Sequence, residues 1–283
     1  MQNLNVTTKA GRILQGRIFK APQAKTVYIA ISGVEGNIYN NRFFTNIGKT
    51  LSANGIDFIV GHTTDAFNQV KSFNKLTGKP EIYGAWDERF NEGNADIAAY
   101  LAYATKKYEH IILGGQSLGA NKVIHYLASH TNAPVDKFFL LSPVNVDSLR
   151  DSVPLKQKQF IMQQIRNGNQ NKILPFKLFR WLTATANTAY QWLTNDIFNN
   201  THIEPRANFK DVYHMSQTGA MLIGTHDGFT RGDPVKYLEN INNHTQNKDQ
   251  NQLIFIDNAS HIYRGKEQIV ANNVLRQIKN WNF

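Results

Sequence analysis

The chain is expected to be an α/β protein, with a doubly wound, mostly parallel central sheet and a helical lid insertion at 145–209 within a single domain spanning residues 1–283. Three observations predict this. Apolar runs of strand length alternate with segments of helical spacing along the chain. One junction, His110-Ile-Ile-Leu-Gly-Gly-Gln-Ser-Leu-Gly-Ala120, passes from strand to helix through a turn of small residues. The stretch from Asn145 to Phe209 breaks the alternation, being rich in Asn and Gln, studded with aromatic residues and poor in strand patterns.

The elements follow in order. Arg12 to Phe19 and Thr26 to Ser32 read as strands, Arg42 to Ala53 as a helix, and Ile56 to Val60 as the next strand. A polar loop containing Gly78-Lys-Pro80 leads to a helix over Asn94 to Lys107, carried by Ile97, Leu101 and Ala104. Ile111-Ile-Leu113 is a short buried strand, and Ala120 to Ala128 is a helix with Val123, Ile124, Leu127 and Ala128 on one side. Phe138 to Ser142, Met221 to Ile223 and Leu253 to Ile256 are further strands, and Gln268 to Trp281 closes the chain as a helix. Within 145–209, helices are expected over Gln157 to Arg166 and Phe176 to Leu193, with Trp181, Tyr190 and Trp192 as substrate-facing aromatics.

Bulk composition excludes several classes. Of the 283 residues 41% are hydrophobic, enough for a sizeable core. No run approaches the roughly 20 apolar residues that span a bilayer. The polar start Met1 to Thr8 lacks the apolar core of a signal peptide, so a cytoplasmic location is the expectation. The chain has no cysteine, which excludes disulfides, thiolate metal sites and a cysteine nucleophile. The net charge is +10, from 31 basic and 21 acidic residues. The basic residues are scattered, and no zinc-finger spacing, aromatic RNA-binding signature or arginine-rich tail accompanies them, so no nucleic-acid partner is expected. The densest basic segment, with Arg150, Lys156, Lys158, Arg166, Lys172, Lys177 and Arg180, reads first as a solvated face and second as a contact for anionic substrates or a membrane surface.

Gly115-Gln-Ser-Leu-Gly119 is a Gly-x-Ser-x-Gly pattern that presents Ser117 at the apex of a sharp turn. A serine hydroxyl needs a base within hydrogen-bond reach, and that base needs an orienting carboxylate. In a parallel sheet such groups collect at the carboxyl ends of strands. Asp227 follows the Met221 strand and His261 follows the Leu253 strand. Asp233 and Asp257 are rivals for the acid role, and strand position favours Asp227. Among nine histidines, only His261 has this loop placement; His125 falls inside a helix, His226 neighbours the acid, and His62, ending an early strand, is a candidate pocket residue. Backbone N–H groups of Leu118 and Val34 are the candidate oxyanion donors, the second from Ser32-Gly33-Val34. Glu35, beside that donor, is a candidate ligand for a substrate amine.

Ser117, Asp227 and His261 in this order, with Ser32-Gly-Val34 upstream, resemble the α/β-hydrolase superfamily. Within it Gly84-Ala-Trp-Asp-Glu-Arg-Phe90, Gln116-Ser-Leu-Gly-Ala-Asn-Lys122 and His261-Ile-Tyr-Arg-Gly-Lys-Glu267 look like a branch of serine esterases and serine-peptidase-like esterases, including uncharacterised bacterial hydrolases and fungal siderophore esterases. The resemblance implies a parallel sheet flanked by helices, a lid after the Phe138 strand, ester hydrolysis through an acyl-enzyme, and neither cofactor nor metal. It places nucleophile, acid, base and oxyanion donors on Ser117, Asp227, His261, Leu118 and Val34. One departure is Gln116, where histidine is frequent. The expected partner is a small-molecule ester; amide or peptide hydrolysis on the same triad and a non-catalytic ligand-binding protein are the alternatives.

Overall fold

A computed structural model describes all 283 residues. Its main sheet has eight strands in the order β1-β2-β4-β3-β7-β8-β9-β10. These are β1 (Gln2–Thr7), β2 (Ile13–Phe19), β3 (Thr26–Ile31), β4 (Ile56–Gly61), β7 (His110–Ser117), β8 (Lys137–Pro143), β9 (Thr218–Gly224) and β10 (Gln252–Ile256). From β4 to β10 every pairing is parallel, while β1 and β2 form an antiparallel edge. The edge strand β1, absent from the strands read in the sequence, alternates exposed and buried residues and buries only Leu4 and Val6. A separate hairpin of β5 (Val70–Asn74) and β6 (Lys79–Tyr83) occupies the expected loop around Gly78; its side chains are largely exposed, which is why no strand pattern marks it.

Helices cover both faces, as a doubly wound sheet requires. On one face α1 (Arg42–Ser52) and α9 (Glu267–Asn280) pack with Tyr28, Phe58, Ile112, Phe139 and Leu141. On the other, α2 (Gly93–Ala104), α3 (Leu118–Ser129) and α8 (Pro234–Asn243) pack with Ile29, Ile111, Leu113, Phe138 and Leu140. Successive residues of β7 and β8 therefore enter opposite cores, the period-two signature of strands buried on both sides.

The segment 145–209 leaves the sheet between β8 and β9 and contains α4 (Val146–Ser152), α5 (Leu155–Arg166) and α6 (Ala186–Thr194); α7 (Lys210–His214) follows it. It has its own apolar cluster, including Leu149, Ile161, Leu178, Phe179 and Trp192, joined to Phe90, Leu118 and Val144 of the body. Trp192 is wholly buried, with the Phe90 and Phe179 rings 5.2 Å away, each edge-on. At about 200 Å² for such a side chain and about 25 cal/mol per Å², its burial contributes roughly 5 kcal/mol of transfer free energy.

The helix expected over Phe176 to Leu193 is only half realised. Phe179 and Arg180 have φ of 54° and 72°, which a right-handed helix cannot include. The helix starts instead after Thr185, whose Oγ1 accepts a hydrogen bond from Thr188 N–H at 3.2 Å as an N-cap. In the basic segment, Arg150 is a structural tie: it donates to the Trp192 and Asn195 carbonyls at 2.9 and 2.8 Å and pairs with Asp196 at 2.7 Å. Lys156, Arg166, Lys172, Lys177 and Arg180 are exposed. No helix is long and apolar enough to cross a membrane.

Candidate active site

β7 ends at Ser117, which has φ 56° and ψ −131°, and α3 begins at the next residue. Such a conformation costs a non-glycine residue about 1–3 kcal/mol. The pairing of β7 with β8 slips in register at this point. The flanking glycines serve close approach: a Cβ on Gly115 would lie 2.1 Å from the Gly119 carbonyl oxygen, and one on Gly119 would lie 2.3 Å from that of Ile31. Backbone atoms cannot yield as side chains do. Gly119→Ala is therefore expected to destabilise the protein by about 1–3 kcal/mol or more, seen as a lower denaturant midpoint at unchanged slope.

The candidate acid and base, Asp227 and His261, come from neighbouring loops after β9 and β10. These loops are joined by His226 N–H to the Ala259 carbonyl (2.9 Å), Thr225 N–H to the Ile256 carbonyl (3.0 Å) and Asn258 N–H to Thr225 Oγ1 (2.9 Å). The Asp227 side chain is fully buried, and its Oδ2 and Oδ1 lie 2.8 and 3.0 Å from His261 Nδ1. Asp227 Oδ1 also accepts from Phe229 N–H at 2.9 Å. With Nδ1–H committed to the carboxylate, the neutral imidazole carries its free lone pair on Nε2. Gln116 Nε2 donates to the His261 carbonyl at 3.3 Å, fixing the loop from the strand that bears the serine. No hydrogen bond joins Ser117 Oγ to His261, although both line one cleft of about 430 Å³. Apo sites frequently show this contact open.

The rivals lie elsewhere. Asp233 caps α8 through Lys236 N–H at 2.9 Å, and Asp257 is exposed. His125 pairs with Asp211 at 2.8 Å, and His226 is exposed. His62 does not line the cleft: it is buried, with Nδ1 2.7 Å from the Gln15 carbonyl and Nε2 accepting from Ile38 N–H at 3.1 Å. Burial lowers its pKa to about 4, so it is a neutral structural group.

Leu118 N–H opens α3 and has no acceptor within the helix. Gly33 packs against the serine, since a Cβ there would lie 2.8 Å from Ser117 Cβ. After it, Glu35 N–H and Gly36 N–H bond to Asp65 and Gly33 carbonyls at 2.8 and 2.9 Å, whereas Val34 N–H has no acceptor in the protein. Val34, Glu35 and Leu118 all line the cleft. Glu35 Oε1 accepts from Asn68 Nδ2 at 2.8 Å. Trp181 and Trp192 line the cleft with Leu149, Val144 and Phe229; Tyr190 does not, being half-buried against the apolar cluster of the inserted segment. Its place in a helical pattern carried no information on which side of α6 faces the serine. No three His, Asp or Glu side chains converge as a metal-ligand set.

Three charged residues without an assigned role in the sequence reading form a buried cluster next to this site. Lys122 Nζ, one turn beyond the serine, lies 2.7 Å from Asp65 Oδ1 and 2.8 Å from Glu88 Oε1, with all three side chains no more than 3% exposed. Burial works against the lysine charge, but Asp65 and Glu88 outweigh it and hold its pKa above the ordinary value. Burial, followed by the Asp65 charge, pushes Glu88 up to about 8. Asp65 Oδ2 and Glu88 Oε2 are buried without a donor. Between the unfolded value of 4.5 and about 8 the folded state thus holds a proton on Glu88 that the unfolded chain lacks, and stability from this group falls as pH rises through that window. Glu88→Gln keeps an acceptor for Lys122 and removes the titration. Its unfolding free energy should decline less from pH 6 to pH 9 than that of the wild type, as measured by denaturant titration at each pH. In the predicted helix Lys122 falls opposite the side formed by Val123, Ile124, Leu127 and Ala128, where a solvent-facing lysine is ordinary, so no sequence signal marked this cluster.

Asn121 ties the inserted segment to the helix after the serine. Its amide donates to the Val144 and Phe198 carbonyls at 2.9 and 3.0 Å, and its Oδ1 accepts from Val144 N–H at 3.0 Å.

Comparison with solved structures decides the fold. Est1E from Butyrivibrio proteoclasticus superposes with a TM-score of 0.66 at 16% identity, covering 99% of this chain and 100% of that one. The chain has the α/β-hydrolase fold. The α/β-hydrolase GrgF from Penicillium sp. sh18 also has a TM-score of 0.66, at 15% identity over 99% of this chain and 98% of that one. XC6422 from Xanthomonas campestris, described as an a/b serine hydrolase without lid, gives 0.56 at 13% identity over 99% and 94%. Est1E has also been solved with ferulic acid bound. No protein-family model and no curated protein matches the sequence. On this α/β-hydrolase sheet, the serine, histidine and aspartate all lie at carboxyl ends of parallel strands.

Proposed function

We propose that the protein is a serine hydrolase that cleaves carboxylic esters through an acyl-enzyme, with Ser117, His261 and Asp227 as its triad. The observation that carries this reading is the two-oxygen seat of Asp227 on His261 Nδ1 in the cleft that holds a serine on a strained strand-to-helix turn. Solved esterases of the same fold support hydrolysis as the reaction class. Ser117 Oγ attacks the ester carbonyl carbon while His261 Nε2 takes its proton. The tetrahedral oxyanion is held by Leu118 and Val34 N–H groups. It collapses as the alcohol leaves with the proton from His261, giving an ester on Ser117. Water then loses a proton to Nε2 and attacks the acyl carbon, and the proton returns to Ser117 as the acid departs. Asp227 holds the imidazole tautomer and stabilises the imidazolium formed in each half.

Segment 145–209 serves as the lid of a single 1–283 domain, offering the half-buried Trp181 to an apolar or aromatic group of the substrate, with the wholly buried Trp192 packed into the cleft wall. Est1E holds an aromatic acid of this kind. The segment's apolar cluster and the Asn121 hydrogen bonds hold it to the body of the fold. Amide or peptide hydrolysis is the second reading, favoured by the Glu35 carboxylate in the cleft, which suits a substrate amine. Turnover of 4-nitrophenyl butyrate and of the 4-nitroanilide of the same acid tests both: ester turnover alone supports the first, turnover of both supports the second, and turnover of neither, with the serine unreactive, defeats both.

A further inference from the structure

The cleft lining combines apolar side chains, Val144, Leu149, Trp181 and Phe229 among them, with the polar side chains of Glu35, Asn40, Asn41, Gln116 and Arg264. Among the polar side chains, two stand out because nothing in the protein uses them. Arg264 is exposed in the cleft and takes part in no ion pair or hydrogen bond, although it lies three residues beyond the base. Its loop is rigidly placed. Tyr263, at φ 54°, is fully buried, with its hydroxyl donating to Ser142 Oγ at 2.8 Å and its ring 5.2 Å edge-on from Phe43. That anchor sets His261, Ile262 and Arg264 together on the cleft wall.

Asn41 is only 5% exposed, yet its amide makes no hydrogen bond. It occupies the N-cap position of α1 without capping the helix, which departs from the usual use of asparagine there. Its neighbour Asn40 is spent, donating to the Glu35 carbonyl at 2.7 Å and accepting from Asn37 N–H at 2.8 Å. The Glu35 carboxylate, the one negative side chain on the cleft, is held by Asn68. An unpaired guanidinium and a free, nearly buried amide lining one cleft, from segments joined by the Tyr263–Phe43 contact, are complementary to a carboxylate or a similar oxyanion, which accepts from both donor types at once.

We infer that Arg264 and Asn41 bind an anionic group of the substrate in this cleft, so that the preferred ester carries a negative charge together with an apolar or aromatic group. The assignment rests on the serine-hydrolase reading and names the substrate class of that site.

Two matched pairs of esters test it. 4-Nitrophenyl hydrogen glutarate against 4-nitrophenyl pentanoate places the charge on the acyl side, and 4-carboxyphenyl butyrate against 4-acetylphenyl butyrate places it on the alcohol side. Wild type should favour the charged member of one pair by about tenfold or more in kcat/KM, mainly through KM. Raising the salt to 0.5 M, a roughly fivefold increase over ordinary buffer ionic strength, should erode that preference by screening. In Arg264→Gln the charged-to-neutral ratio should fall to about one, Arg264→Glu should invert it, and Asn41→Ala should reduce it. Neutral esters turned over with no charge preference in either pair, or a preference that survives Arg264→Gln, would overturn the anion assignment while leaving the hydrolase reading in place. If no ester is turned over and fluorophosphonate fails to label the serine, both fall together.

Discussion

Ser117→Ala is expected to lower kcat for an ester by about 10⁴-fold or more, because the variant loses the atom that forms the covalent intermediate and leaves only binding and oxyanion stabilisation. Stability should move little or improve. The serine occupies a φ of 56° that alanine tolerates no better, but its hydroxyl makes no hydrogen bond that the fold would miss. Activity against 4-nitrophenyl butyrate, with a denaturant curve on the same preparation, checks both parts. Retained turnover in a folded variant would remove Ser117 from the mechanism.

Asp227→Asn should cost about 10⁴ in kcat with the fold preserved. The amide cannot accept from Nδ1–H on both sides as the carboxylate does at 2.8 and 3.0 Å, and its N–H₂ favours the tautomer that puts the imidazole proton on Nε2. A base carrying its proton on Nε2 cannot take one from the serine. The change should appear in kcat, with KM nearly unaltered. Asp233→Asn and Asp257→Asn, one a helix cap and the other exposed, provide the contrast and should retain wild-type turnover. Loss of activity in Asp257→Asn rather than Asp227→Asn would show that the acid lies on the wrong loop.

Much of this architecture was legible in the residues because it depends on local signals. Ser117, Asp227 and His261 each follow an apolar run of strand length, and a parallel sheet delivers the ends of such runs to one edge. Leu118, directly after β7, and Val34, three residues after β3, could be placed beside the cleft for the same reason. What was missed depends on partners distant in sequence or on backbone states without a residue signature. Phe179 and Arg180 break an expected helix by taking positive φ, a conformation that nothing in Phe or Arg announces. Tyr190 and Trp192 are two residues apart in α6, yet only the tryptophan reaches the cleft, a matter of helix rotation set by the Phe90 and Phe179 packing. The Lys122 cluster joins three segments of the chain, and neither Asp65 nor Glu88 has a local pattern that marks it as buried. Asn41 looks like an ordinary N-cap and Arg264 like an ordinary surface arginine until the fold sets both in the cleft that Ser117 lines.

The most direct test is the intact mass of the protein after exposure to a fluorophosphonate, which phosphonylates a serine only where a base and oxyanion donors activate it, and which requires no knowledge of the substrate. Wild type should gain the mass of a single phosphonyl adduct, and Ser117→Ala should gain none. Folded wild type that remains unmodified, or an adduct that persists in Ser117→Ala, would contradict the assignment of Ser117 as an activated nucleophile.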